Sequence, residues 1–225
     1  MRRTVVPLGL VGLVAVVAVP AAFAAGSVNP PAGTPDLAAM VIQPSDLEPG
    51  VDVVNQAYVK PPTGFTAAYS SVLSGATTMG GTEYASIEDD VALAPSSVAS
   101  GNLFLGEQAV LTTRKGRAAI AKSVVKDYGK KAHLKTSDIK FGAPINAGIG
   151  TASVAELLTI KVKHNTVPEA IVSFYDGDTY ADVALVGKLN AKLSLTDATA
   201  LGSTIDSHIH TVLGATGTTG TTGTS

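Results

Sequence analysis

Two short stretches of this sequence have the residue types of a nucleophilic hydrolase. Ser123-Val124-Val125-Lys126 sets a lysine amine one helical turn from a serine hydroxyl, close enough to take its proton and make the oxygen a nucleophile. Lys135-Thr136-Ser137 resembles the K-T-G element that accompanies such a serine. That chemistry draws its elements from distant parts of a larger domain, with an S-D-N element between them. Here they stand about ten residues apart at the end of one helical pattern, and no S-D-N is present. The segment is read as a basic helix face, and no catalytic residue is assigned. An exported hydrolase stays as the alternative, built from Ser123 with Lys126 or from His164 with Asp176.

Metal chemistry has little to draw on. His133 and His164 fall in expected loops. His208 and His210 are two apart on a helical pattern, so they face different sides and lack the i,i+4 spacing of a helical metal pair. Asp206 and His210 have that spacing and are read as a surface pair. Of the acidic clusters, Glu88-Asp89-Asp90 could hold calcium weakly, while turn chemistry accounts for Asp176-Gly177-Asp178. Neither fits an EF-hand loop. Gly148-Ile149-Gly150 lacks the third glycine of a dinucleotide fingerprint and is read as a loop. No G-x-S-x-G, H-E-x-x-H or Walker sequence occurs. The expectation is a chain with no metal and no cofactor.

One stretch is strongly basic. Residues 114–140 carry nine bases and two acids, whereas residues 25–113 carry one lysine and nine acids. The net charge of −2 therefore hides a polarised chain with a local field. Arg114, Lys115, Arg117, Lys122, Lys126, Lys130 and Lys131 form the candidate anion-binding set, followed by Lys135 and Lys140. Its partners would be anionic envelope polymers or lipid headgroups. Nucleic acid is not expected, because no aromatics interleave to stack bases.

The address comes from the first residues. Arg2-Arg3, an apolar run from Val5 to Val19, Pro20 and Ala21-Ala22-Phe23-Ala24-Ala25 make up a secretory signal peptide. Cleavage is expected between Ala24 and Ala25, leaving no membrane span. There is no cysteine, so neither a lipid-bearing cysteine nor a disulfide is possible. The expected layout is a signal peptide over 1–24, a Pro/Gly linker over 25–35, one domain over 36–213 and a disordered Thr/Gly tail over 214–225.

The elements that would position these residues follow from periodicity. Residues 38–42 are a short apolar element, and Gln43 to Gly50 is a turn with room for one helical turn. Val51–Val59 reads as a strand, and Phe65–Leu73 as a short helix from the spacing of Phe65, Ala68, Tyr69 and Leu73. Thr82–Leu93 reads as a strand whose inward face Asp89 interrupts. Pro95–Asn102 is expected as a loop and Leu103–Thr113 as a strand. Lys115–Tyr128 is a helix ended by Gly129. Ile139–Phe141 is a short strand. Val154–Lys163, Val167–Tyr175 and Asp178–Val186 form a meander, with a type I′ turn at Asp176-Gly177. Thr196–Leu213 is an amphipathic helix capped by Ser194 or Thr196, with Leu201, Ile205, Ile209 and Val212 as its stripe. The expected fold is α+β: an antiparallel sheet of five to six strands packed by two main helices, the C-terminal one closing the domain.

Asp46-Leu47-Glu48-Pro49-Gly50 resembles the D-L-P-x-G opening of secreted actinobacterial domains. Tyr175-Asp176-Gly177-Asp178-Thr179-Tyr180-Ala181-Asp182-Val183, followed by a final helix, is similar to their strand–turn–strand–helix close. The plan is shared with the extracellular sensor domains of mycobacterial receptor kinases and related lipoproteins. The chain departs from them in lacking cysteine. The resemblance implies an envelope domain that binds or senses and does not catalyse. The sequence reading is therefore an exported, non-enzymatic binding or sensing domain. Its alternatives are the hydrolase above and a surface-attachment module using 114–140.

Overall fold

The computed structural model describes residues 28–75, 78–79 and 82–216. The expected signal peptide and its Ala24–Ala25 cleavage bond lie outside them. Leu37, Met40, Val41 and Ile42 come first and are wholly buried, followed by a 3-10 turn at Pro44–Asp46. The strands are β1 (Val51–Val59), β2 (Ala67–Gly75), the two-residue β3 (Thr78–Met79) and β4 (Thr82–Leu93). Two helices come next, α1 (Ser97–Thr112) and α2 (Arg114–Ala132). Then come β5 (Ile139–Phe141), β6 (Ala152–Val162), β7 (Asn165–Asp176), β8 (Thr179–Gly187) and α3 (Leu195–Thr216). The sheet order is β1-β2-β4-β8-β7-β6-β5, all antiparallel, with β3 attached to β4.

The α+β class stands, but the sheet is larger than expected and three α-helices cover it on two faces. Alternate residues of β8 show why. Ala181, Val183 and Leu185 join the core under α3, with Ala198, Leu201, Ile205 and Ile209. Tyr180 and Val186 join a second core, with Phe104 and Leu111 of α1 and Ile120 and Val124 of α2. A central strand with helices on both sides buries both faces, and all nine residues of β8 are buried.

Two expected elements are overturned. Phe65–Leu73 is not a helix; its residues from Ala67 onward belong to β2. Tyr69 and Leu73 are four apart, a spacing that fits a helical face and a strand face equally. Buried Ala67, Tyr69, Ser71 and Leu73 show that the period is two. Residues 97–112, read as a loop and a strand, are α1. Ser96 caps it, its Oγ accepting from Ala99 N at 3.2 Å. Its buried residues are Ser100, Phe104 and Leu111, a helical spacing masked by apolar residues on the opposite side.

Smaller differences have local causes. α2 continues past Gly129 to Ala132, and His133 takes the left-handed conformation beyond it (φ 56°). The β7–β8 hairpin turns at Gly177-Asp178, since Asp176 pairs with Thr179. Only Gly177 of that pair has positive φ (55°), so the turn is not type I′, which needs both. Ser194 caps α3, its Oγ accepting from Thr196 N at 3.0 Å.

Candidate functional site

Antiparallel register places side chains in rows across the sheet. On the face covered by α1 and α2, one row reads Ser70, Asp90, Asp182, Ser173 across β2, β4, β8 and β7. The next reads Val72, Glu88, Ala184, Ile171, Glu156. The third reads Ser74, Ser86, Val186, Glu169, Leu158. Five of these positions are carboxylates. A sixth, Glu107, comes down from α1 to accept the hydroxyl hydrogen of Tyr180. On this face Ile171 and Ala184 form an isolated apolar pair.

Glu156 is the one with a basic partner. Arg117 Nη2 lies 2.6 Å from its Oε1, and the same guanidinium donates to Leu111 O (2.6 Å) and Gly142 O (3.0 Å). It also lies over the Phe141 ring at 5.5 Å. Arg117 thus faces the core side of α2 and ties it to the β5 edge.

The other five have no base in ion-pair reach among the described residues. Glu169 is fully buried (0% exposed), and neither of its oxygens has a hydrogen-bond partner. Asp182 is 4% exposed and its Oδ2 is unmatched. Asp90 Oδ1 and Glu107 Oε1 are unmatched too. Burial is the main reason that all five carboxyls are pushed upward. Glu88, Asp90 and Glu107 reach about 7, the first and last raised further by the charge of Asp90; hydrogen bonds from Ser70 to Asp90 and from Tyr180 to Glu107 oppose the rise. Glu169 and Asp182 lie well above the carboxylate range, through burial and then neighbouring acids. Such a face can take up or release protons near neutrality, and several of its carboxyl oxygens have no hydrogen-bond partner among the described residues.

Asp89 points the other way. Its Oδ2 accepts from Ile42 N at 2.5 Å, which pins the buried N-terminal segment to β4. Burial raises it to about 8 against that bond and one from Ser71. Neighbouring residues of one acidic run thus serve opposite faces of the sheet, and Glu88-Asp89-Asp90 cannot close around one ion.

A second grouping lies at the β7–β8 turn. His210 Nε2 is 3.4 Å from Asp176 Oδ2 and 4.0 Å from Asp206 Oδ1. Thr151 Oγ1 donates to Asp176 Oδ1 at 2.9 Å, and Asp206 accepts from the Gly150 backbone. These three ligand atoms lie close enough to share a cation. The helical pair Asp206–His210 was legible in the sequence; Asp176 joins it because the hairpin ends beside α3.

The remaining candidates are scattered. Arg114, Lys115, Lys122 and Lys126 are exposed on α2, and so is Ser123 beside Lys126. Lys130 and Lys131 lie in α2 with side chains outside the described residues. His164 and Asp176 flank opposite ends of β7, so they share no site. Lys135 and Lys140 are exposed near β5. The buried acids were missed in the sequence, although a lone glutamate inside apolar Val154–Ile160 and another beside Val167 and Ala170 were their signal.

No family model matches this chain, and no curated protein does. Among solved structures, the extracellular domain of PknH from Mycobacterium tuberculosis is similar, at 10% identity with a TM-score of 0.48. The match covers 77% of this chain and 94% of that one. No helix among the described residues is long and apolar enough to cross a membrane.

Proposed function

We propose that this chain is an exported, non-enzymatic binding domain that holds a cationic small molecule on the acid-lined face of its sheet. Glu169 carries the reading: a wholly buried carboxyl with two unmatched oxygens, on the same face as the unmatched oxygens of Asp182 and Asp90 two rows away. An unsatisfied buried polar group costs about 1–3 kcal/mol, and a ligand that brings the missing donors removes that cost. The acids are spread over three rows. That suits a linear molecule with more than one ammonium group better than a single metal ion, whose oxygen ligands must converge to about 2.3–2.6 Å.

Spermidine is a suitable probe, by titration calorimetry at about pH 8 and pH 5.5. Binding is expected at the higher pH and about tenfold weaker at the lower, because the carboxyls must give up protons to hold ammonium groups. Glu169→Gln with Asp182→Asn should abolish it. A folded protein that takes up no amine at either pH would sink the proposal. Export has its own check: the protein recovered from culture medium should begin at Ala25 on N-terminal sequencing.

A further inference from the structure

α1 is apolar on both sides. Its sixteen residues include one charged side chain, Glu107, and that carboxylate is turned inward to Tyr180. The outward side carries Val98 (72% exposed), Leu105 (60%) and Val110 (42%), with exposed Asn102, Gly106 and Ala109 between them. A helix of this composition is normally covered on all sides. α2 joins it through the single residue Thr113, whose NH donates to Ala109 O at 3.2 Å and whose Oγ1 accepts from Gly116 N at 3.1 Å. Thr113 therefore closes one helix and caps the next. Both helices pack on the same face of the sheet, so their outer surfaces look the same way. On α2 that surface is Arg114, Lys115, Lys122 and Lys126 around exposed Ala118 and Ala119. Asp127 is the only acid in the helix.

We infer that the outer surface of the α1–α2 pair seats the domain on an anionic lipid bilayer. Aliphatic side chains beside lysine and arginine form the pattern that lies in a membrane interface, the first entering the acyl boundary and the second meeting headgroup charge. A second copy of this chain suits the surface poorly, since a two-fold contact would set the bases of α2 near one another. A soluble polyanion would engage the bases and leave Val98 and Leu105 in water. The exposed acids Asp36 and Asp46 belong to the segment packed under α3, on the other side of the sheet, and so turn the basic pair toward a negative surface.

The test is sedimentation of the full chain with vesicles of phosphatidylcholine alone and with phosphatidylglycerol added. Binding is expected only with the anionic lipid. Val98→Ser with Leu105→Ser should weaken it about tenfold, since both apolar side chains leave the acyl boundary. Lys122→Glu with Lys126→Glu should weaken it at least about tenfold, and Lys122→Arg with Lys126→Arg should restore it. These positions are exposed, so the variants should keep the wild-type circular dichroism. The inference fails if the folded protein ignores anionic vesicles or if both variant pairs bind like the wild type. It fails equally if only the charge reversal matters, leaving headgroup attraction without a seat. A dimer dissolved by Val98→Ser with Leu105→Ser would assign the surface to a second copy instead.

Discussion

Arg117 illustrates how a charge run conceals individual roles. Counted among surface bases in the sequence, it is the one among those described that turns inward, to Glu156, two backbone carbonyls and the Phe141 ring. Replacing it with Met strands a buried carboxyl and should cost about 3–5 kcal/mol in urea unfolding. Arg117→Met with Glu156→Leu should recover most of that loss, because no charge is then left behind. Arg117→Lys should rescue little, since one ammonium cannot reproduce the planar fork that reaches three acceptors. The stretch 114–140 was legible as basic. Which base faced the core was not, because that depends on Glu156, which lies 39 positions away and becomes a neighbour only when α2 docks on β6.

At the scale of elements, the strands with plain alternation or a clear turn were read correctly, and β1, β4 and β5 fall on their expected residues. The failures, β2 and α1, share one physical cause. Period two and period 3.6 agree at a spacing of four, and an all-round apolar helix has no polar side to reveal its period. The missed α1 also hid the lid of the acidic face and the apolar outer surface. The junction after α1 is tight: a Cβ on Gly116 would meet Val110 O at 2.1 Å. Gly116→Ala should therefore force α2 away from α1 and destabilise the chain by roughly 1–3 kcal/mol, read as a lower thermal midpoint. An unchanged midpoint would mean that the two helices separate freely at Thr113.

For the whole molecule, the dominant electrostatic fact is a set of carboxyls whose affinity for protons rises on folding. Glu88, Asp90, Glu107 and Glu156 reach about 7 and Asp89 about 8. The folded chain then holds more protons than the unfolded one between about pH 4 and pH 8, so stability falls as pH rises through that window. The urea midpoint should be higher at about pH 5 than at about pH 8. Glu169→Gln should flatten that profile at its alkaline end. A midpoint that climbs toward pH 8 would show that donors outside the described residues satisfy these acids. Spermidine should narrow the difference, because it stabilises mainly the alkaline form.

The seam between β4 and β8 has a consequence for how the chain is made. It pairs Tyr84 with Gly187 at one end and Leu93 with Thr179 at the other, and among the described residues it is the one strand pairing that joins the first three long strands to the last four. A polypeptide emerging from its N-terminus exposes the free edge of β4 until nearly all of its length has been synthesised. Contacts of such sequence separation form late and slowly. Meanwhile Glu88 and Asp90 stay in water and ionised, and they take up protons only when β8 arrives. Assembly should therefore quicken as the medium becomes mildly acidic, and a chain cut short before Thr179 should remain open, soluble through its charge and unable to complete its core.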